Sequence, residues 1–291
     1  MDVPVSPITV DVVNGVRLAL QVFGTGDRPA IVLVPGAASS MEWWDDDFCR
    51  LLAAGDDASG GRRVIRYDLR DTGESETVPP GAADYTGADL IDDLAALIEH
   101  LDAAPAHLVG LSAGGGMAQN LALQRPELLA SVTLMSTSPV GTVAAPLPPP
   151  TAELAASFGA SAPPTDWDDP DAVGALAVET ERLYSGSIPV DELRIRRIAV
   201  SAASRSPSPD SAANFFSVSD PPGVRTDIAS ITAPTLVVHG SEDPLFPLPH
   251  GEALAGLIPG ARLVVVPGMG HQFPPPPTWP QIAGEILRHT S

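Results

Sequence analysis

The sequence predicts an α/β fold: a mostly parallel, eight-stranded sheet carrying an inserted helical cap. Three observations predict it. Short uninterrupted apolar runs recur between segments of helical periodicity, the pattern of strands buried on both faces and joined by crossover helices. The first two runs are different, because they flank Asn14-Gly15, a strong signal for a tight hairpin. The strand–helix alternation then stops between Pro139 and Pro222 and resumes afterwards, as it does when one sheet domain carries an insertion. Residues 1–138 and 223–291 are accordingly assigned to the core and 139–222 to the cap.

The hairpin strands are read at 8–13 and 16–23. Ala30-Ile31-Val32-Leu33-Val34 follows as a strand with no polar face, then a helix over 41–54. Val64-Ile65-Arg66-Tyr67-Asp68 is the next strand, and 87–101 mixes apolar and acidic residues at helical spacing. His107-Leu108-Val109-Gly110-Leu111 leads into a helix over 113–124, and 130–136 is a further buried strand. The cap opens on Pro146-Leu147-Pro148-Pro149-Pro150 and has helical patches at 172–184 and 192–204. Pro234-Thr235-Leu236-Val237-Val238-His239, a helix over 251–257, a strand over 262–266 and a helix over 281–289 complete the chain.

Composition narrows the function. The 291 residues carry 36 acidic and 16 basic side chains, a formal charge of −20, and every basic residue is arginine. Such a charge repels phosphate backbones, so no nucleic-acid partner is expected. Without lysine, Schiff-base catalysis and P-loop phosphate binding are both excluded. The single cysteine, Cys49, cannot form an internal disulfide and reads as a small buried residue on a helix. The first residues lack the basic and apolar segments of a signal peptide, and no window reaches 18 apolar residues. A cytoplasmic protein with no membrane partner is expected; its oligomeric state is left open.

Gly110-Leu111-Ser112-Ala113-Gly114 lies where a buried strand gives way to a helix. Glycines two residues to either side of a serine allow a tight, strained turn that presents the hydroxyl above the sheet. Serine is a weak nucleophile until a base takes its proton, so a histidine and an acid are required. His271, on the glycine-rich loop Pro267-Gly268-Met269-Gly270-His271, is the best base; His100 lies within a helix, His107 begins a buried strand, and His289 falls in the last few residues, where little is expected to hold it still. The acid is sought in His239-Gly240-Ser241-Glu242-Asp243-Pro244, after the penultimate strand. Asp243 is preferred to Glu242 because Pro244 stiffens the turn and a short carboxylate orients an imidazole with less entropy lost. His239 and His250 flank this loop and are read as capping or pocket-lining residues. Two N–H donors must face the oxyanion: Ala113 supplies one, and Ala37, with Gly36 as the alternative, the other. Trp43, Trp44, Phe215 and Phe216 are candidate substrate-binding residues, core packing being the competing role for each. The loop Asp68–Ser75 is read as a structural tie, including an Arg70–carboxylate pair. No metal is expected: H-E-x-x-H is absent, and the acidic runs 45–47 and 166–171 lack a calcium-loop pattern and read as solvated surface.

These residues resemble the α/β-hydrolase superfamily over essentially the whole chain. A narrower likeness is carried by Ile65–Gly73, by His107–Ser112, by Asp243-Pro244 with Pro249-His250-Gly251, and by Leu254–Pro259 followed by Pro267–His271. Those stretches look like aclacinomycin methylesterase and its actinobacterial relatives. The resemblance implies cofactor-free hydrolysis of a small-molecule ester, a methyl ester on an aromatic polyketide, with Ser112, Asp243 and His271 as the triad. The chain departs from the pattern at Ala113, where that family often has methionine, and at Pro35, where many hydrolases have histidine. The cap carries no such likeness, so the triad transfers and the substrate does not. Lactone opening, C–C cleavage and peroxyacid formation use the same three residues, and a binding protein could keep the shell with little turnover.

Overall fold

The computed structural model describes residues 3–55, 61–141, 143, 146–158, 165–219 and 227–291. Along the chain the elements are β1 (Thr9–Val13), β2 (Val16–Phe23), β3 (Ile31–Val34), α1 (Asp46–Ala54), β4 (Val64–Tyr67), α2 (Gly87–His100), β5 (Ala106–Leu111), α3 (Ala113–Gln124) and β6 (Leu129–Met135). Next come α4 (Ala152–Ser157), α5 (Pro170–Tyr184) and α6 (Glu192–Arg205), a 3-10 stretch over Pro209–Ser217, then β7 (Thr235–Gly240), α7 (Pro249–Leu257), β8 (Arg262–Val266) and α8 (Trp279–His289).

Among the described residues the sheet has eight strands in the order β1-β2-β4-β3-β5-β6-β7-β8. The β1–β2 and β2–β4 pairs are antiparallel; every later pair is parallel. Side chains alternate between the faces of a strand, and the buried strands supply apolar residues to both. Val32, Val34, Leu108 and Val237 pack with Leu94, Ile98 and Leu121 of α2 and α3. Their immediate neighbours Ile31, Leu33, Val109 and Val238 pack on the opposite face with Phe48, Leu52, Ile282 and Ile286 of α1 and α8. That two-sided burial is why these strands read as unbroken apolar runs.

Strand order also sets where a site can form. The chain leaves β3 for β4 on one side and returns to β5 on the other, so the loops after β3 and β5 diverge at a switch point. A crevice opens there at the carboxyl ends of the strands.

Some local expectations change. The helix expected over 41–54 is a 3-10 turn, Met41–Trp43, followed by α1, because Asp45 caps α1 by accepting from Asp47 N–H at 2.9 Å. Asp45 is not solvated surface: it is buried and pairs with the equally buried Arg194 of α6 at 2.9 Å. His289, near the end of the chain, has Nε2 3.2 Å from Pro234 O and 3.3 Å from Val132 O. Arg70 does pair with a carboxylate, that of Asp93, at 2.6 and 2.8 Å. Among the described residues between β6 and β7, the two expected helical patches are α5 and α6, with α4 and the Pro209–Ser217 stretch as additions. Arg205, at the end of α6, reaches both Asp68 oxygens at 2.8 and 3.0 Å and also bonds Glu42. The expected second boundary of the cap, between 222 and 223, lies outside the described residues.

Candidate active site

Ser112 sits between β5 and α3 with φ 53° and ψ −117°, in the left-handed region that side chains avoid. Its backbone is held there from both sides. Ser112 N–H donates to Met135 O at 2.9 Å, and its carbonyl accepts from Gly116 N–H at 3.1 Å and Thr137 Oγ1 at 2.8 Å. The strain persists because the surroundings over-determine it. Gly114 is required by close approach: a Cβ there would lie 2.5 Å from the carbonyl oxygens of Val34 and Pro35, forcing α3 away from β3.

The base and acid arrive on the loops after β8 and β7. His271 Nε2 is 2.9 Å from Ser112 Oγ, and His271 Nδ1 is 2.9 Å from Asp243 Oδ2. The three expected residues are therefore brought together in one hydrogen-bonded chain. Asp243 is buried, and its second oxygen accepts from Leu245 N–H at 2.9 Å and Phe246 N–H at 2.7 Å. Both carboxylate oxygens thus have donors, which holds the acid in one orientation. Glu242 points elsewhere, accepting from Ser187 N–H at 2.7 Å and Ser187 Oγ at 3.0 Å. An imidazole between a carboxylate and a hydroxyl can take the hydroxyl proton and keep the resulting positive charge paired.

The neighbouring histidines have other work. His239 Nε2 donates to Phe246 O at 2.7 Å and so steadies the turn that carries Asp243; burial lowers the pKa of this ring. His250 Nε2 donates to Pro148 O and its Nδ1 accepts from Ser138 Oγ, both at 2.9 Å, which fastens the start of the cap to α7.

The loop after β3 abuts the serine: a Cβ on Gly36 would lie 3.8 Å from Ser112 Cβ. Ala113 is the first residue of α3, where a backbone N–H has no partner within its own helix. Beside this loop a cavity of about 230 Å³ opens between the cap and the core. Its walls include Ala38 and Trp43 from the core and Trp167, Leu176, Glu181 and Ala203 from the cap.

Of the four aromatic residues expected at the substrate, only Trp43 lines this cavity. Trp44 is fully buried in the core against Phe48 and Phe273, with ring centroids 6.1 and 5.1 Å away. Phe215 packs against the α2–α3 side of the core, and Phe216 is 73% exposed. Trp167 and Glu181 were not anticipated. Nothing local marks them: Glu181 faces the cavity because α5 docks as it does, and Trp167, just before α5, is held by its Nε1–H donating to Asp210 Oδ1 at 2.5 Å. Burial raises the pKa of Glu181, whose Oε1 accepts from Gln272 Nε2 at 2.9 Å.

Among the described residues, no three or more His, Cys, Asp or Glu side chains gather to hold a metal ion, and no helix is long and apolar enough to cross a membrane. Comparison with known proteins agrees with the fold. Residues 29–274 match the family model described as alpha/beta hydrolase fold. The chain belongs to that family. It is 32% identical over 286 residues to rhodomycin D methylesterase DauP of Streptomyces sp. (strain C5), covering 92% of this chain and 93% of the relative. It is 30% identical to rhodomycin D methylesterase DnrP of Streptomyces peucetius, with 91% of each chain covered. Among solved structures, a hydrolase from Pseudomonas aeruginosa PA01 superposes with a TM-score of 0.68 at 27% identity, covering 97% of both chains.

Proposed function

We propose that this carboxylesterase-type member of the family hydrolyses its ester through an acyl-enzyme on Ser112. The observation that carries the reading is the unbroken Ser112–His271–Asp243 chain, with 2.9 Å at each link, built on a strained turn at the switch point. His271 takes the Ser112 proton as the hydroxyl oxygen attacks the ester carbonyl. Asp243 orients the ring and pairs the imidazolium. The Ala37 and Ala113 N–H groups face the oxyanion, each such donor being worth about 2.7–4 kcal/mol in the transition state. His271 then protonates the leaving alcohol, and water repeats the sequence on the acyl-enzyme.

The methylesterase relatives and the cavity together support an aromatic ester, a methyl ester of a polyketide-like acid, as the substrate class. An apolar cavity of roughly 150 Å³ holds benzene. The cavity here is about 230 Å³ and open to solvent, with two tryptophans in its wall, which leaves room for an aromatic group beside the loop after β3.

Ser112→Ala tests the mechanism. Turnover of an aryl acetate is expected to vanish while the melting temperature stays near wild type, and a serine-directed phosphonate should label wild type at Ser112 alone. Undiminished turnover in the variant, or the absence of an adduct in wild type, would sink the proposal.

A further inference from the structure

The loop that carries His271 is held by the cap as well as by the loop after β7, where Glu242 N–H donates to Met269 O at 3.1 Å and Gly268 N–H to Ser241 Oγ at 2.9 Å. His271 N–H donates to the carbonyl of Tyr184, the last residue of α5, at 2.7 Å, and the two rings lie 5.9 Å apart. Gly270 is approached so closely by the Tyr184 carbonyl that a Cβ there would collide with it. Ile188 N–H donates to Gly268 O at 3.2 Å. One turn before Tyr184, Glu181 Oε1 accepts from Gln272 Nε2 at 2.9 Å; Gln272 is buried and is the residue directly after His271. The base is thus gripped on both sides of its own peptide by the final turn of one cap helix.

Resting on the serine-hydrolase reading above, we propose that Glu181 is a positioning residue for His271, acting through Gln272, so that the docked cap completes the catalytic geometry. Glu181 bonds no reacting atom. It fixes the Gln272 side chain, and with the Tyr184 carbonyl it sets the height and tilt of the imidazole over Ser112. Misplacing a catalytic group by about 1 Å can cost on the order of 100-fold in rate. The mechanism therefore depends on α5 even for substrates too small to touch the cap.

The role predicts a pattern that packing alone does not. Glu181→Gln keeps an amide oxygen able to accept from Gln272, whereas Glu181→Ala removes the acceptor. For an aryl acetate, Glu181→Ala is expected to lower kcat by about 10- to 100-fold with KM little changed, and Glu181→Gln to restore most of it. Gln272→Ala should produce a similar loss, and the double variant Glu181→Ala/Gln272→Ala should be no slower than the worse single one, because both cut the same link. The rate of Ser112 modification by a small diethyl phosphate ester should fall in parallel, since that probe needs only the activated serine. Melting temperatures check that each variant is folded.

A Glu181→Ala enzyme that is labelled at the wild-type rate and changes only KM would overturn the inference and make Glu181 a substrate contact. Fully additive losses in the double variant, or no recovery in Glu181→Gln, would overturn it as well. Failure of wild type itself to be labelled would instead count against the serine-hydrolase reading.

Discussion

Asp243→Asn exchanges an oxygen for an NH₂ group and, in this geometry, reverses the direction of a proton. One Asp243 oxygen accepts from the Leu245 and Phe246 N–H groups at 2.9 and 2.7 Å. An asparagine must present its carbonyl oxygen to those two donors, because its NH₂ would oppose them. The amide nitrogen then faces His271 Nδ1, which stands 2.9 Å from the other oxygen in wild type. A facing N–H donor makes Nδ1 an acceptor, so the ring proton moves to Nε2. Nε2 is the atom 2.9 Å from Ser112 Oγ, and once protonated it can no longer take the serine proton. The wrong tautomer in an otherwise intact Ser-His-Asp set costs about 10⁴-fold in kcat. At about 1.36 kcal/mol per factor of ten, that is about 5.4 kcal/mol of transition-state stabilisation. The assay is kcat on an aryl acetate for wild type, Asp243→Asn and Asp243→Ala, with phosphonate labelling rates and melting temperatures beside it. Asp243→Asn should be folded and inactive, whereas Asp243→Ala should also lose stability, because two partly buried N–H groups lose their acceptor. Activity within tenfold of wild type in Asp243→Asn would refute the reasoning, since it would mean that the ring orientation does not depend on this carboxylate.

Neighbouring tryptophans should behave oppositely: Trp44→Ala is expected to destabilise by about 3–5 kcal/mol in denaturant unfolding. Trp43→Ala, which removes a half-buried ring stacked on Phe273 at 5.9 Å, should cost clearly less than that and raise KM for a bulky aromatic ester more than for an aryl acetate. Burial pushes the pKa of His107 down to about 4 from 6.5, with Arg62 and His289 adding to the effect. The folded state then binds fewer protons than the unfolded chain between those values, so this residue's contribution is present above about pH 6.5 and is lost as pH falls toward 4. The melting temperature of wild type relative to His107→Leu should decline over that window, and a flat difference would contradict the assignment. Asp93 accepts from Arg70 at 2.6 and 2.8 Å and from Asn14 Nδ2 at 2.9 Å, joining α2 to the first hairpin and to the loop after β4. Asp93→Ala leaves the largely buried Arg70 cation unpaired and should cost about 3–5 kcal/mol in equilibrium unfolding; a loss below about 1 kcal/mol would show the pair to be dispensable.

The parts of this protein that could be read from the sequence are those whose causes are local. A parallel strand buried on both faces has to be apolar throughout, so Ala30–Val34 and His107–Leu111 announce themselves. The turn at Ser112 has to admit close backbone neighbours on both sides, so Gly110 and Gly114 mark it. Asp243 and His271 follow because both stand on loops leaving the carboxyl ends of β7 and β8, the edge on which Ser112 also lies. What escaped was whatever depends on which way a side chain faces after the cap has docked.

Trp43 and Trp44 show the difference in a single step of the chain. In a 3-10 turn, successive residues point about 120° apart. Trp43 ends such a turn and lines the cavity, Trp44 follows it and turns into the core, and closeness to the loop after β3 says nothing about which does which. The same rule applies in the Pro209–Ser217 stretch, where Pro209 and Ala212, three residues apart, line the cavity. Phe215 continues that stripe one turn further on, past the cavity and onto the core, while Phe216 turns outward to solvent. Asp45 could be separated from Asp46 and Asp47 only through Arg194, a partner 149 positions away. Glu181 is the sharpest instance, because a glutamate on an amphipathic helix ordinarily reads as solvated. It becomes part of the site only because α5 ends on the loop that carries His271. The candidate triad lies in short turns that a sequence displays, whereas the walls of the cavity beside it depend on the docking of α5 and α6, which pairs residues far apart in the chain.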